Sequence, residues 1–164
     1  MPHSVFSSRT PLPRSPVIVQ SLHDHAAMIT QNPLVVQYAP CQPPPFAPPD
    51  ELDAIWYELT DRIAFLPYGL LSRHVRYHAC FHDTPQGLQT HVYAPMGVDI
   101  RNDWRVSDWE DSQGGTGMFL QEQVDLRCPF GLTTFVQRTL QRAHAELVDR
   151  LATAVSQSLS GPDA

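Results

Sequence analysis

A chain of 164 residues is the length of one compact domain, and 42% apolar against 17% charged residues makes it globular rather than disordered. The net charge is −6 and every one of the 11 basic residues is arginine. No basic cluster is present to meet a phosphate backbone, and without lysine both Schiff-base chemistry and a Walker-type phosphate loop are excluded.

The pattern predicts a short first strand around Val5 to Ser8. Ser15-Pro16 ahead of Val17, Ile18, Gln20 and Leu22 reads as an N-cap with proline at the first helical position, opening a short helix that closes at His23-Asp24-His25. Cations near a helix C-terminus are ordinary capping. Residues 26 to 31 continue that helix or form a second one, which must stop before Asn32-Pro33. A strand at Leu34 to Tyr38 follows, then the run Pro40 to Pro49. Its rings exclude helix and central strand, so an extended surface connection is expected, with a ligand for proline-recognition modules as the weaker reading. Alternation then takes over. Ile55, Tyr57, Leu59, Asp61 and Ile63 form an inward row, residues 74 to 95 form a hairpin about Asp83-Thr84-Pro85-Gln86-Gly87, and further inward rows run through Val98 to Val106 and Met118 to Leu126. From Gly131 to about Gln157 the apolar positions Leu132, Phe135, Val136, Leu140, Ala143, Leu147, Leu151 and Ala154 step by three or four, as in one long amphipathic helix. The expected unit is a single domain over residues 1–157 with a frayed tail over 158–164, and no internal repeat is seen.

Cys41, Cys80 and Cys128 are odd in number and far apart, so reduced thiols are expected. The segment Met1 to Phe6 lacks the layout of a signal peptide and no apolar run approaches the roughly 18 residues of a membrane span. A cytoplasmic address is the expectation.

This order of elements resembles the α+β helix-grip fold of the START-related, polyketide-cyclase-like superfamily: a curved antiparallel sheet of six to seven strands closed by a long C-terminal helix, with two short N-terminal helices. Asn32-Pro33-Leu34-Val35, residues 56 to 62 (Trp-Tyr-Glu-Leu-Thr-Asp-Arg), residues 79 to 83 (Ala-Cys-Phe-His-Asp), residues 87 to 91 (Gly-Leu-Gln-Thr-His) and the helix from Ala143 to Arg150 look like a fungal family of START-like domains. The resemblance carries over no catalytic residues. It implies a cavity between sheet and long helix for hydrophobic small molecules, in which several relatives perform cofactor-free cyclisation or isomerisation.

Among the eight histidines, His74, His78 and His82 share a strand face, with His91 on the partner strand. Positions four apart on a strand are about 13 Å from each other at about 3.3 Å per residue, too far to converge on one ion. Neither a metal nor a cofactor is expected, and this face is expected to meet solvent. Carboxylates in inward rows say more, since an acid among aliphatic neighbours must be paired, cavity-lining or at a strand end. Glu122, between Leu120 and Val124, and Asp61 are those cases. Desolvation would suit Glu122 to acid–base work, and Asp61 stands just before the apolar segment Phe65 to Leu71. The alternative for Glu122 is an ion pair with arginine, or a bulge that turns it outward. Tyr57 and Tyr77 complete the candidate catalytic set. Asn102, Trp104, Thr90, Phe81, Leu120 and Phe135 are the candidate substrate-binding residues, and the apolar segment Phe65 to Leu71 is a candidate lid.

The expected function is a cofactor-independent cyclase or isomerase, proton-transfer or pericyclic, acting on a hydrophobic terpenoid or polyketide intermediate of fungal secondary metabolism. The alternative is a carrier of lipid or hydrophobic metabolite that performs no chemistry. The expected partner is a hydrophobic small molecule, without nucleic acid or stable membrane insertion, and a homodimer is left open.

Overall fold

The computed structural model describes residues 2–65 and 69–161. Ten main elements follow in chain order: β1 His3–Leu12, α1 Val17–His23, α2 His25–Gln31, β2 Val35–Cys41, β3 Ile55–Ala64, β4 Ser72–Thr84, β5 Gly87–Ala94, β6 Val98–Glu110, β7 Thr116–Arg127 and α3 Thr133–Leu159. The strands form one curved antiparallel sheet in the order β1-β7-β6-β5-β4-β3-β2. The helix-grip α+β fold expected above is the fold observed.

Each element has a local cause. Ser15, almost fully buried, accepts the backbone N–H of Val17 on its hydroxyl at 3.2 Å, and Asp24 caps α2 by accepting from Ala27 N at 3.0 Å. The hairpin between β4 and β5 needs glycine at Gly87, because a Cβ there would lie 1.8 Å from the carbonyl oxygen of Trp104 on β6. Pro40 lies in β2, an edge strand, where a missing N–H can face away from the ladder. The long helix spans 27 residues, about 40 Å at 1.5 Å per residue, and ends at Leu159.

The main core lies beneath the C-terminal half of α3 and beneath α1 and α2, where Ile18, Leu22, Leu88, Trp104, Leu120 and Leu151 are almost fully buried. A smaller cluster of Ile100, Val124, Leu126 and Cys128 takes Val136 and Leu140 from the N-terminal half. There Phe135, Val136 and Leu140 are only half-buried.

Three expectations need correction. The outward face of β4 and β5 is open at His74 and His82, whereas His91 is 5% exposed and Trp56, outward on β3, is 1% exposed. The proline-rich segment folds back over this convex face: Phe46 packs on Trp56 and Tyr93, and Glu51 bonds His91. This strap is irregular after β2 and closes in a single 3-10 turn at Pro49–Glu51, where proline suits the first position, so that it covers an aromatic cluster on this face. Next, His25 does more than cap a helix: it is buried, between Tyr57 Oη at 3.0 Å from Nδ1 and Asp83 Oδ1 at 2.7 Å from Nε2. Last, Ile55, expected to face inward, is 52% exposed, because β3 starts beyond the edge of the core. Of the candidate lid, residues 66–68 lie outside the described residues. None of the described helices is long and apolar enough to cross a membrane.

Candidate functional site

The concave face of the sheet brings polar side chains from β3, β4, β5, β6 and β7 under α3. Alternation puts Asp61, Tyr77, Thr90, Asn102 and Glu122 on that face, and the register sets their pairing: Thr90 is opposite Asn102 and Trp104 is opposite Glu122. Beneath the helix lies an inner chamber of about 80 Å³, with Tyr77, Phe81, Thr90, Asn102, Trp104 and His144 in its wall. A cleft of about 460 Å³ opens between β1 and α3, with Glu122 and His144 at its floor. His144 therefore borders both spaces.

Glu122 and His144 form the centre of the site. His144 Nδ1 is in a short hydrogen bond with Glu122 Oε1, and the two residues are 8% and 4% exposed, His144 first. The His144 ring also lies 5.6 Å from that of Trp104. A buried carboxylate needs a partner, and a histidine on the helix supplies it in place of the arginine considered above.

Asp61 and Tyr77 form a second pair. The Tyr77 hydroxyl donates to Asp61 Oδ1 at 2.8 Å. Burial pushes the Asp61 carboxyl up from 3.8 to about 6, partly offset by the Tyr77 hydrogen bond and the charge of His144. Burial together with the Asp61 charge holds the Tyr77 phenol well above its ordinary value. Asn102 Nδ2 donates to Thr90 Oγ1 at 3.2 Å, while its Oδ1 is buried without a partner among the described residues.

Of the four candidate catalytic residues, the structure gathers Glu122, Asp61 and Tyr77 about this region and places Tyr57 elsewhere. The Tyr57 hydroxyl belongs to the His25 and Asp83 chain under the N-terminal helices, and burial raises its value. Among the binding candidates, Asn102, Trp104, Thr90 and Phe81 line the chamber. Leu120 is packed in the main core. Phe135 lies in a separate groove of about 930 Å³, stacked on Phe65 with ring centroids 5.3 Å apart.

His144 is the residue that the sequence reading missed. Its signal was present: it lies four residues after Leu140 and three before Leu147, inside the apolar stripe of the long helix. Among the described residues no group of three or more histidine, cysteine or acidic side chains is placed to hold a metal ion.

Solved structures share this architecture. A point mutant of norcoclaurine synthase from Thalictrum, in complex with a transition state analogue, superposes with a TM-score of 0.58 at 9% identity, covering 95% of this chain and 96% of its own. The di-domain ARO/CYC StfQ from the steffimycin biosynthetic pathway gives 0.65 at 10% identity over 98% of this chain, which spans about half of StfQ at 52%. Ara h 8.0201 gives 0.54 at 8% identity over 93% of this chain and 99% of its own. Likenesses at this level of identity establish the shared START-like fold and nothing finer. No curated protein matches the sequence. The sequence match that does assign a family covers residues 1–157, and by it the chain belongs to the family described as Domain of unknown function (DUF7053).

Proposed function

We propose that this protein binds a small hydrophobic molecule between the sheet and α3 and rearranges it without a cofactor, by cyclisation or isomerisation, with Glu122 and His144 as the proton-transfer pair. The observation that carries this reading is their position: both are buried and bonded to each other on the floor of the β1–α3 cleft, and His144 also lines the inner chamber. A carboxylate on Nδ1 orients an imidazole and leaves Nε2 to exchange a proton with a bound molecule. In this reading Tyr77, its hydroxyl held by Asp61, positions the substrate from the chamber wall. Phe81, Asn102, Thr90 and Trp104 hold the reacting end. Holding a flexible chain in a reactive conformer can contribute up to about 7 to 11 kcal/mol, which suits polyketide and terpenoid intermediates. Support comes from two enzymes of this fold, one holding a transition state analogue and the other an ARO/CYC of a biosynthetic pathway.

A carrier without chemistry is the second reading, favoured by the fact that Glu122 and His144 are bonded to each other, as in a purely structural buried pair. Incubation with polyketide and terpenoid intermediates in D2O, followed by mass spectrometry, separates the two. Proton transfer should leave solvent deuterium in a rearranged product, and Glu122→Gln should slow its formation by about a hundredfold or more. Ligand that is bound by the wild type and recovered unchanged would make the protein a carrier.

A further inference from the structure

In the wall of the inner chamber Asn102 Oδ1 is a buried acceptor with no hydrogen-bond partner among the described residues. Asn102 is 8% exposed, and its Nδ2 donates to Thr90 Oγ1 at 3.2 Å. Native folds leave few buried acceptors unpaired. Thr90 Oγ1 already accepts from Asn102, so its own hydrogen remains free to donate. The pair thus presents the Asn102 Oδ1 acceptor beside the Thr90 hydroxyl and the second Nδ2 hydrogen as donors, on neighbouring strands, in a wall otherwise formed largely by Leu59, Phe81, Leu88 and Trp104.

We propose that the ligand of this chamber carries a hydroxyl group, phenol or alcohol, on its apolar inserted end: the hydroxyl donates to Asn102 Oδ1 and accepts from the Thr90 hydroxyl. A hydroxyl is the smallest group that serves both partners at once, whereas an ether oxygen accepts only and a hydrocarbon does neither. The chamber, at about 80 Å³, takes only the leading end of the molecule with its hydroxyl, and in this proposal the rest extends past His144, which also lines the β1–α3 cleft. Asn102 then sets specificity at a point separate from the acid–base pair. The proposal rests on the reading above that the chamber is the ligand site, and is independent of whether Glu122 performs chemistry.

The test uses three probes of the same shape, 4-propylphenol, 4-propylanisole and propylbenzene, titrated into the full chain. Binding is followed by calorimetry and by the side-chain amide resonances of Asn102. The phenol should bind at least about tenfold more tightly than the ether, in spite of its lower hydrophobicity, and should shift the Asn102 amide signals. In Asn102→Leu that preference should vanish while the hydrocarbon binds as well as before or better. Thr90→Val, a milder change, should reduce the preference without abolishing binding, and serves if the leucine variant fails to fold. Equal affinity for phenol and ether in the wild type, or a preference that survives Asn102→Leu, overturns the hydroxyl assignment and leaves hydrophobic binding intact. Failure of all three to bind overturns both the assignment and the chamber as a ligand site.

Discussion

The two faces of the sheet each bury a histidine against carboxylate, and the two groups are completed differently. On the convex face His91 uses both ring nitrogens, Nδ1 with Glu51 at 2.6 Å and Nε2 with Asp99 at 2.9 Å, and Glu51 accepts from Tyr93 at 2.7 Å with its other oxygen. On the concave face His144 bonds Glu122 through Nδ1, its Nε2 has no hydrogen-bond partner among the described residues, and Asn102 Oδ1 is left over. Burial is common to both and so is adjoining space, since a groove of about 800 Å³ runs along the convex face. What separates them is unused hydrogen-bonding capacity. The convex group is saturated by the protein and pins a surface segment, whereas on the concave face His144 Nε2 and Asn102 Oδ1 have no partner among the described residues.

The largest effect that bears on this contrast is catalytic. Glu122→Gln is expected to lower turnover by about a hundredfold or more, while Glu51→Gln leaves turnover within about twofold. Equal losses from both variants, measured on the same substrate, would erase the functional distinction between the faces.

Stability should respond in the opposite sense. Glu51 holds the strap through two side-chain hydrogen bonds, and its backbone carbonyl accepts from the Trp56 indole at 2.9 Å. Glu51→Ala is expected to cost about 3 kcal/mol, at about 1.5 kcal/mol for each bond to a charged group, with increased protease cleavage between residues 42 and 54. A loss under about 1 kcal/mol by urea denaturation would mean that the strap is held by its aromatic contacts alone.

The faces should also differ in pH dependence. Asp61 holds its proton more tightly in the folded protein, at about 6 against 3.8 unfolded. Its contribution to stability is therefore fully present below about 4 and is lost as pH rises through 6, by up to about 3 kcal/mol. Asp61→Asn keeps an acceptor for Tyr77 and should be more stable than the wild type at pH 8, the gap closing toward pH 4. For Glu51, burial would raise the value, but the hydrogen bonds from His91 and Tyr93 together with the His91 charge outweigh it and lower it below 4.5. That contribution is present above 4.5 and is lost as pH falls through the folded value. Denaturation curves of the single and double variants from pH 3 to 8 check both signs. An Asp61→Asn gap that does not change with pH would place the carboxyl in contact with water.

The smallest effect concerns Tyr57. Tyr57→Phe removes one hydrogen bond, to His25, and should cost about 1 kcal/mol with turnover unchanged. A large loss of turnover would bring the His25 and Asp83 chain into the site.

Much of the fold was legible because its signals are local. Alternation in β3 to β7, the 3.6-residue stripe of α3, the turn at Asp83 to Gly87 and the proline ahead of α1 each act over a few residues, and the order of elements then leaves few ways to bury their apolar faces. Glu122 and Asp61 were legible for the same reason, as acids out of place in apolar rows. The partner of Glu122 was not, because His144 is 22 residues away on another element. The alternation that put His91 outward was sound, but face does not decide exposure. Exposure was decided by where the strap from Gln42 to Ala54 came to rest, through Phe46 and Glu51 meeting Trp56, His91 and Tyr93. The sequence by itself determined the elements, their order and the acids under the helix, since these follow from short-range periodicity and backbone stereochemistry. The tertiary structure alone decided which histidine was saturated, which kept a free nitrogen, and that Asn102 would face the chamber with an unpaired oxygen, because those outcomes depend on side chains brought together from distant parts of the chain.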